Sequence, residues 1–231
     1  HGSTYLTMSM TGVAFDHIGF DLVAEGLIHR VSSPNTYRRP EGMTEAEFLE
    51  ALVDEFRGKI EELGPENVAA FFAEPIQGAG GVIVPPPGYH GRMAAVCRDH
   101  GVLYVADEVV TAFGRLGHFF ASEFGMVPDM ITTAKGLSSA YAPLAATILT
   151  DEIYDVLSEP QAEGAMFTHG FTYSGHPVCC AAGLKNIEIM EREDLCGHVR
   201  DLGPYFETRL AGLADLPLVG DVLGSHFMLC V

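Results

Sequence analysis

The sequence predicts an α/β fold in which helices cover both faces of a mostly parallel sheet. Two patterns carry that expectation. Four short, nearly continuous apolar runs, at residues 68–73, 102–106, 130–134 and 145–149, have the length of buried strands rather than of helices. Between the first two lies a helical pattern at about 89–100, and strand, helix, strand is the order a parallel pair requires, because the chain must cross over to start the second strand in the same direction. A hydrophobic fraction of 48% is enough to bury a substantial core and excludes global disorder.

Along the chain, Thr44 with Glu47 forms a capping box. Phe48, Leu49, Leu52, Phe56, Ile60 and Leu63 then recur at helical spacing until Gly64-Pro65 stops the segment, so this helix turns one apolar face to the core. After the four strand candidates, long helices are expected at 176–192 and 198–213. Pro177 suits the first turn of the earlier one, where its missing N–H takes no helical bond away. No repeat, linker or low-complexity tract interrupts the chain. Residues 219–231 read as the start of a separate, smaller domain.

A formal net charge of -18 argues against nucleic acid and against anionic membrane, since either needs clustered Lys and Arg. No apolar stretch reaches membrane-spanning length and the N-terminus carries no secretory signal. The cysteines Cys97, Cys179, Cys180, Cys196 and Cys230 are odd in number and lack paired spacing, which predicts reduced thiols in a cytoplasmic protein. No H-E-x-x-H or other paired ligand spacing points to a metal, and no G-x-G-x-x-G opens a helix after a strand as a nicotinamide enzyme would need. The chain begins on His1-Gly2-Ser3 and stops inside the apolar run 227–231, as if cut at both ends.

In open α/β sheets, ligands gather outside the carboxyl ends of the strands. Three of the runs end in a chemically capable residue: Glu74, Asp107 and Lys135. Small residues follow each of them, at 77–81, at Gly114 and Gly117, and at 136–139, and they let backbone approach a flat or charged ligand. Lys135 follows an apolar run, whereas the other two lysines, Lys59 and Lys185, lie in helical contexts that read as solvated faces. A lysine at a strand end taken alone is equally a snorkelling side chain. Its order after Glu74 and Asp107 is what sets it apart.

At these residues the chain resembles the class III aminotransferases, which use pyridoxal phosphate in the fold-type-I architecture. The resemblance runs along essentially all 231 residues. It is strongest at 72–81 around Glu74, at 104–109 around Asp107, at Phe113-Gly114-Arg115, at 129–136 around Lys135, and at 169–177. It implies a three-layer sandwich around a mostly parallel sheet, with 1–215 as a partial cofactor-binding large domain that lacks its N-terminal part and 216–231 as the start of a smaller C-terminal α+β domain. Lys135 would form the Schiff base with the cofactor aldehyde, its amine made nucleophilic by a desolvated site, and would then shuttle a proton. Asp107 would pair with the pyridine nitrogen and keep it protonated. Val109, two residues on along an extended segment, would pack against one ring face, and Glu74 would organise the polar shell. Thr172, with backbone from Phe171, would bind the cofactor phosphate of a neighbouring subunit, which makes a homodimer part of the active site. The plainer alternative, a hydroxyl that caps the helix near Pro177, fits Ser174 better than Thr172.

The chain departs from the family pattern in informative places. Ala112 stands where the family usually has Gly. Val110 stands where one branch carries a Gln that contacts the cofactor hydroxyl, which argues against the branch that acts on 4-aminobutyrate with 2-oxoglutarate. The family's phosphate loop and stacking aromatic would lie upstream of His1, and the arginine that grips the acceptor carboxylate beyond Val231. The stretch 169–177 looks most like the branch that pairs ω-amino acids or simple amines with pyruvate in ping-pong fashion. Two alternatives stand beside it: an aminomutase of the same fold, which needs no oxo-acid acceptor, and an incomplete chain that keeps the fold without turnover.

Overall fold

A computed structural model describes residues 1–159 and 162–231. The chain opens with a short helix, α1 (Tyr5–Met10), capped reciprocally by Thr4 and Thr7. Irregular chain with single 3-10 turns leads to α2 (Glu45–Leu63). There the Thr44 amide donates to the Glu47 carboxylate at 2.8 Å and the Glu47 amide to the Thr44 hydroxyl at 3.2 Å, the capping box read from the sequence. Strand β1 (Ala70–Ala73), helix α3 (Tyr89–His100) and strand β2 (Leu103–Asp107) form the expected crossover unit. They are followed by β3 (Met130–Thr133), β4 (Ala146–Leu149), α4 (Asp151–Ser158), α5 (Pro177–Arg192) and α6 (Leu195–Ala211), and the chain ends on a hairpin of β5 (Leu223–Ser225) and β6 (Met228–Cys230).

The main sheet runs β1-β2-β3-β4. Its first three strands are parallel and β4 is antiparallel to β3. The reversal follows from the connection: residues 134–145 hold only a 3-10 turn, with no crossover helix to bring the chain back to the starting edge. A mostly parallel sheet results.

On one face, α2 contributes Phe48, Leu52, Val53, Phe56 and Ile60, and α3 contributes Tyr89, Met93, Ala94, Val96 and Cys97. They pack onto Phe71, Tyr104, Ala106 and Ile131 of the sheet. Burying each large side chain stabilises by about 1.5–3 kcal/mol. Because side chains alternate along a strand, Phe72, Val105, Asp107 and Thr132 turn to the opposite face. That face is more open over β1, where Phe72 is 48% exposed. Helices α5 and α6 pack on each other and against the loops that leave β2 and β3, where a side-chain methyl on Gly114 would meet Met190 at 3.2 Å and one on Gly183 would meet Leu144 at 2.6 Å.

The terminal hairpin docks on this body. The Phe227 amide donates to the Arg115 carbonyl at 3.3 Å, and Met228 is buried with Ile76, Leu116 and Ala121. Gly224, at φ +111, is required there, since a Cβ would run into the Met228 carbonyl. Helix α6 starts at Leu195 rather than 198, because Asp194 accepts the Gly197 amide at 3.0 Å and caps it earlier. Among the described residues no helix is long and apolar enough to cross a membrane.

Candidate active site

The register of the parallel strands brings the predicted acids together. Ala73 pairs with Ala106, so Glu74 and Asp107 follow side by side at the tips of β1 and β2, about 4.8 Å apart along the hydrogen-bonding direction. Asp107 in turn pairs with Thr132, and Lys135 follows just past the end of β3. The Glu74 carboxylate accepts the Gly78 amide at 2.8 Å. Burial raises its pKa above the ordinary carboxylate value; the Gly78 bond opposes this, the Asp107 charge adds to it, and Lys135 pulls it back down. Glu74, Asp107 and Lys135 therefore share one electrostatic locus.

Asp107 keeps 21% of its side chain exposed, and its Oδ2 lies against the opening residue, His1. Its other oxygen accepts the Val109 amide at 3.1 Å. That bond ends the extended stretch: β2 stops at Asp107 and the chain turns through Val109 instead of continuing straight as the sequence reading assumed. The turn is held by a residue the sequence reading passed over. Glu108 is fully buried and accepts three bonds, from the Thr111 hydroxyl at 2.8 Å, the Ala121 amide at 2.8 Å and the Ser122 amide at 2.9 Å. An acid inside the apolar run 104–110 was the available signal, because a carboxylate is buried only where donors converge on it.

Lys135 opens a 3-10 turn, Lys135–Leu137, with φ +31, a conformation that costs an L-residue about 1–3 kcal/mol unless its surroundings impose it. Its side chain is exposed, not enclosed in the desolvated site expected from the resemblance, because β3 stops at Thr133 and the turn carries the residue out of the sheet. It lines a cavity of about 260 Å³ together with Val110, Phe113, Arg115, Asn186 and Phe227. Gly136 permits the turn to press against the loop after β2: a Cβ there would stand 2.8 Å from that of Phe113. The other two lysines lie on helix surfaces as expected, Lys59 paired with Glu62 at 2.6 Å and Lys185 paired with Glu188.

His90 supports the tip of β1 from beneath. Its Nε2 lies 2.9 Å from the carbonyl of Pro75, the residue after Glu74, and its Nδ1 lies 2.7 Å from the Tyr104 hydroxyl. A carbonyl only accepts, so Nε2 carries the proton and Tyr104 donates to Nδ1. Burial lowers the His90 pKa and favours this neutral form, although the Pro75 carbonyl works the other way.

Phe171 and Thr172 lie elsewhere in character. The segment 162–178 is exposed throughout, with Phe171 75% and Tyr173 81% accessible. Residues 171–174 form a turn in which the Phe171 amide donates to the Ser174 hydroxyl at 3.1 Å. Ser174 thus closes that turn, and α5 begins at Pro177 with no side-chain cap, so the capping alternative open to Ser174 does not hold. The structure gathers Glu74, Asp107, Val109 and Lys135, and leaves Phe171 and Thr172 on an exposed arm.

Comparison with known proteins identifies relatives of the chain. The family profile described as aminotransferase class-III matches residues 1–231. The chain is 44% identical over 230 residues to an uncharacterized aminotransferase, y4uB, of Sinorhizobium fredii, covering 99% of this chain and 49% of that protein. It is 41% identical over 231 residues to the mitochondrial gamma aminobutyrate transaminase 1 of Solanum lycopersicum, covering 99% of this chain and 45% of that protein. Among solved structures, the omega transaminase from Pseudomonas jessenii in complex with PMP superposes with a TM-score of 0.92 at 42% identity, covering 98% of this chain and 50% of that one. The chain spans about half the length of the relatives it matches. The chain belongs to the class III aminotransferase family.

Proposed function

We propose that the protein is a pyridoxal-phosphate-dependent aminotransferase that moves an amino group from an ω-amino acid or amine to an oxo acid, with pyruvate as the acceptor. The observation that carries the reading is the convergence of Glu74, Asp107 and Lys135 at the tips of three adjacent strands. The donor set fits the cofactor. Asp107, with 21% of its side chain exposed and one oxygen held by the Val109 amide, offers a carboxylate to a protonated ring nitrogen, and Lys135, exposed just past the end of β3, offers an amine.

When bound, pyridoxal phosphate supplies an electron sink for the charge released at the amine-bearing carbon of the substrate. On this reading, Asp107 holds the proton at the ring nitrogen. The Lys135 amine holds the cofactor by its aldehyde and then moves the proton at the substrate carbon, and Glu74 orders the polar surroundings. Val109 packs against the ring, and its turn is fixed by the bond to Asp107. Thr172 and Phe171 serve the phosphate across a homodimer, a role supported by the exposed apolar arm at Phe167, Phe171, Tyr173 and Val178. Residues 1–215 then belong to the cofactor-binding large domain and 216–231 begin the small one. The reduced thiols of Cys97, Cys179, Cys180 and Cys230 suit a cytoplasmic enzyme.

The decisive experiment is an absorbance titration with pyridoxal phosphate. A visible band is expected in the parent and is expected to vanish in Lys135→Ala; an identical spectrum in both would remove the reading. Pyruvate added to the amino-loaded enzyme is expected to discharge it and release alanine. No discharge by pyruvate, with discharge by another oxo acid, would move the acceptor assignment.

A further inference from the structure

The turn that carries Lys135 is an unusual piece of backbone. Lys135, Ser139 and Ala140 all take positive φ, at +31, +50 and +64, and none of them is glycine. L-residues do not hold such a conformation unless neighbours impose it. One side is held by the loop after β2, where Gly136 lies against the backbone and Cβ of 112–113. The other side is held from α5. Gly183, Asn186 and Met190 share one stripe of that helix. Gly183 leaves room for the helix to approach, since a Cβ would meet Leu144 at 2.6 Å and the Leu137 carbonyl at 3.7 Å. Asn186 then spans the gap. Its Nδ2 donates to the Gly136 carbonyl at 2.8 Å and to the Leu137 carbonyl at 3.2 Å, while its Oδ1 accepts the Ser139 hydroxyl at 2.8 Å.

We infer that Asn186 is a positioning residue for Lys135, a clamp that fixes the strained turn from the far side so that the lysine amine is presented to the cofactor. Asparagine is suited to the task because a single short side chain offers both the two donors that the carbonyls need and the acceptor that Ser139 needs. Aspartate has the same shape and lacks the donors. Asn186 also lines the cavity beside Lys135, so the clamp sits where a small shift of the turn is felt directly by the amine. Displacement by about 1 Å is enough to change a rate on the order of 10²-fold.

This inference rests on the proposed use of Lys135 to bind pyridoxal phosphate, and the test separates the two. The full chain with Asn186→Ala and with Asn186→Asp is compared with the parent for two ligands: pyridoxal phosphate, whose capture needs the lysine amine, and pyridoxamine phosphate, which carries an amine of its own and cannot bond to Lys135. Expected is a rate of pyridoxal phosphate capture at least about tenfold slower in both variants, with pyridoxamine phosphate affinity within about twofold of the parent. Ser139→Ala, which leaves the carbonyl bonds in place, is expected to slow capture in the same direction by less, and it stands in if the Asn186 variants do not fold. Unchanged capture in the variants, or an equal loss for both ligands, would overturn the clamp while leaving the cofactor assignment intact. Absence of lysine-dependent capture in the parent itself would instead overturn the assignment.

Discussion

The strand tips and the arm at 162–178 are built on opposite principles. At the tips, the carboxylates and the lysine-bearing turn are held within the chain: Glu108 takes three donors, Glu74 takes the Gly78 amide, Asp107 takes the Val109 amide, and Asn186 grips the turn that bears Lys135. On the arm, the large side chains Met166, Phe167, Phe171 and Tyr173 are each more than half exposed, and the bonds that exist close local turns. The difference teaches where the chain is self-sufficient. The tips are preorganised by bonds that fold with the sheet, whereas the arm presents a surface of the kind that a second copy would cover on the proposed dimer reading.

This contrast can be broken or sharpened by substitution. The largest effect is expected for Asp107→Asn, which keeps the shape and removes the charge: turnover should fall on the order of 10²–10⁴-fold while thermal unfolding barely moves. Steady-state kinetics beside a melting curve checks this, and a normal turnover would remove Asp107 from the chemistry. Next is Glu108→Ala, which strands the buried Ala121 amide and Thr111 hydroxyl together with the half-buried Ser122 amide. A loss of about 3 kcal/mol or more in denaturant unfolding is expected, and a change under about 1 kcal/mol would show that the tip is held by something other than this carboxylate.

Glu74 offers a subtler probe because its pKa is raised by burial. The folded chain then binds that proton more tightly than the unfolded one, so its contribution is full below the ordinary value of 4.5 and is lost as pH rises through the raised folded value. Glu74→Gln should therefore be more stable than the parent at neutral pH, with the two curves converging below pH 4.5; a stability loss at neutral pH would mean that the charged form is favoured. The smallest effect on stability is expected on the arm. Thr172→Ala should unfold within about 0.5 kcal/mol of the parent and yet retain pyridoxal phosphate less well on dialysis. Equal retention would break the assignment of the arm to the phosphate.

Local patterning in the chain was enough to place the strands, the capped helix α2 and the crossover helix α3, because each depends on residues a few positions apart. The candidates Glu74, Asp107 and Lys135 were legible for the same reason, as reactive groups at the ends of apolar runs. The short elements α1, α4 and β5–β6 carried too few residues to register a period. The reversal of β4, the burial of Glu108, the support of Pro75 by His90 and the grip of Asn186 on residues 136–139 were decided only by tertiary structure. Each joins groups far apart in the chain or depends on which way a loop turns. A polar side chain does not announce its partner in advance, since any donor of the right geometry would satisfy it, and packing alone determines which one arrives.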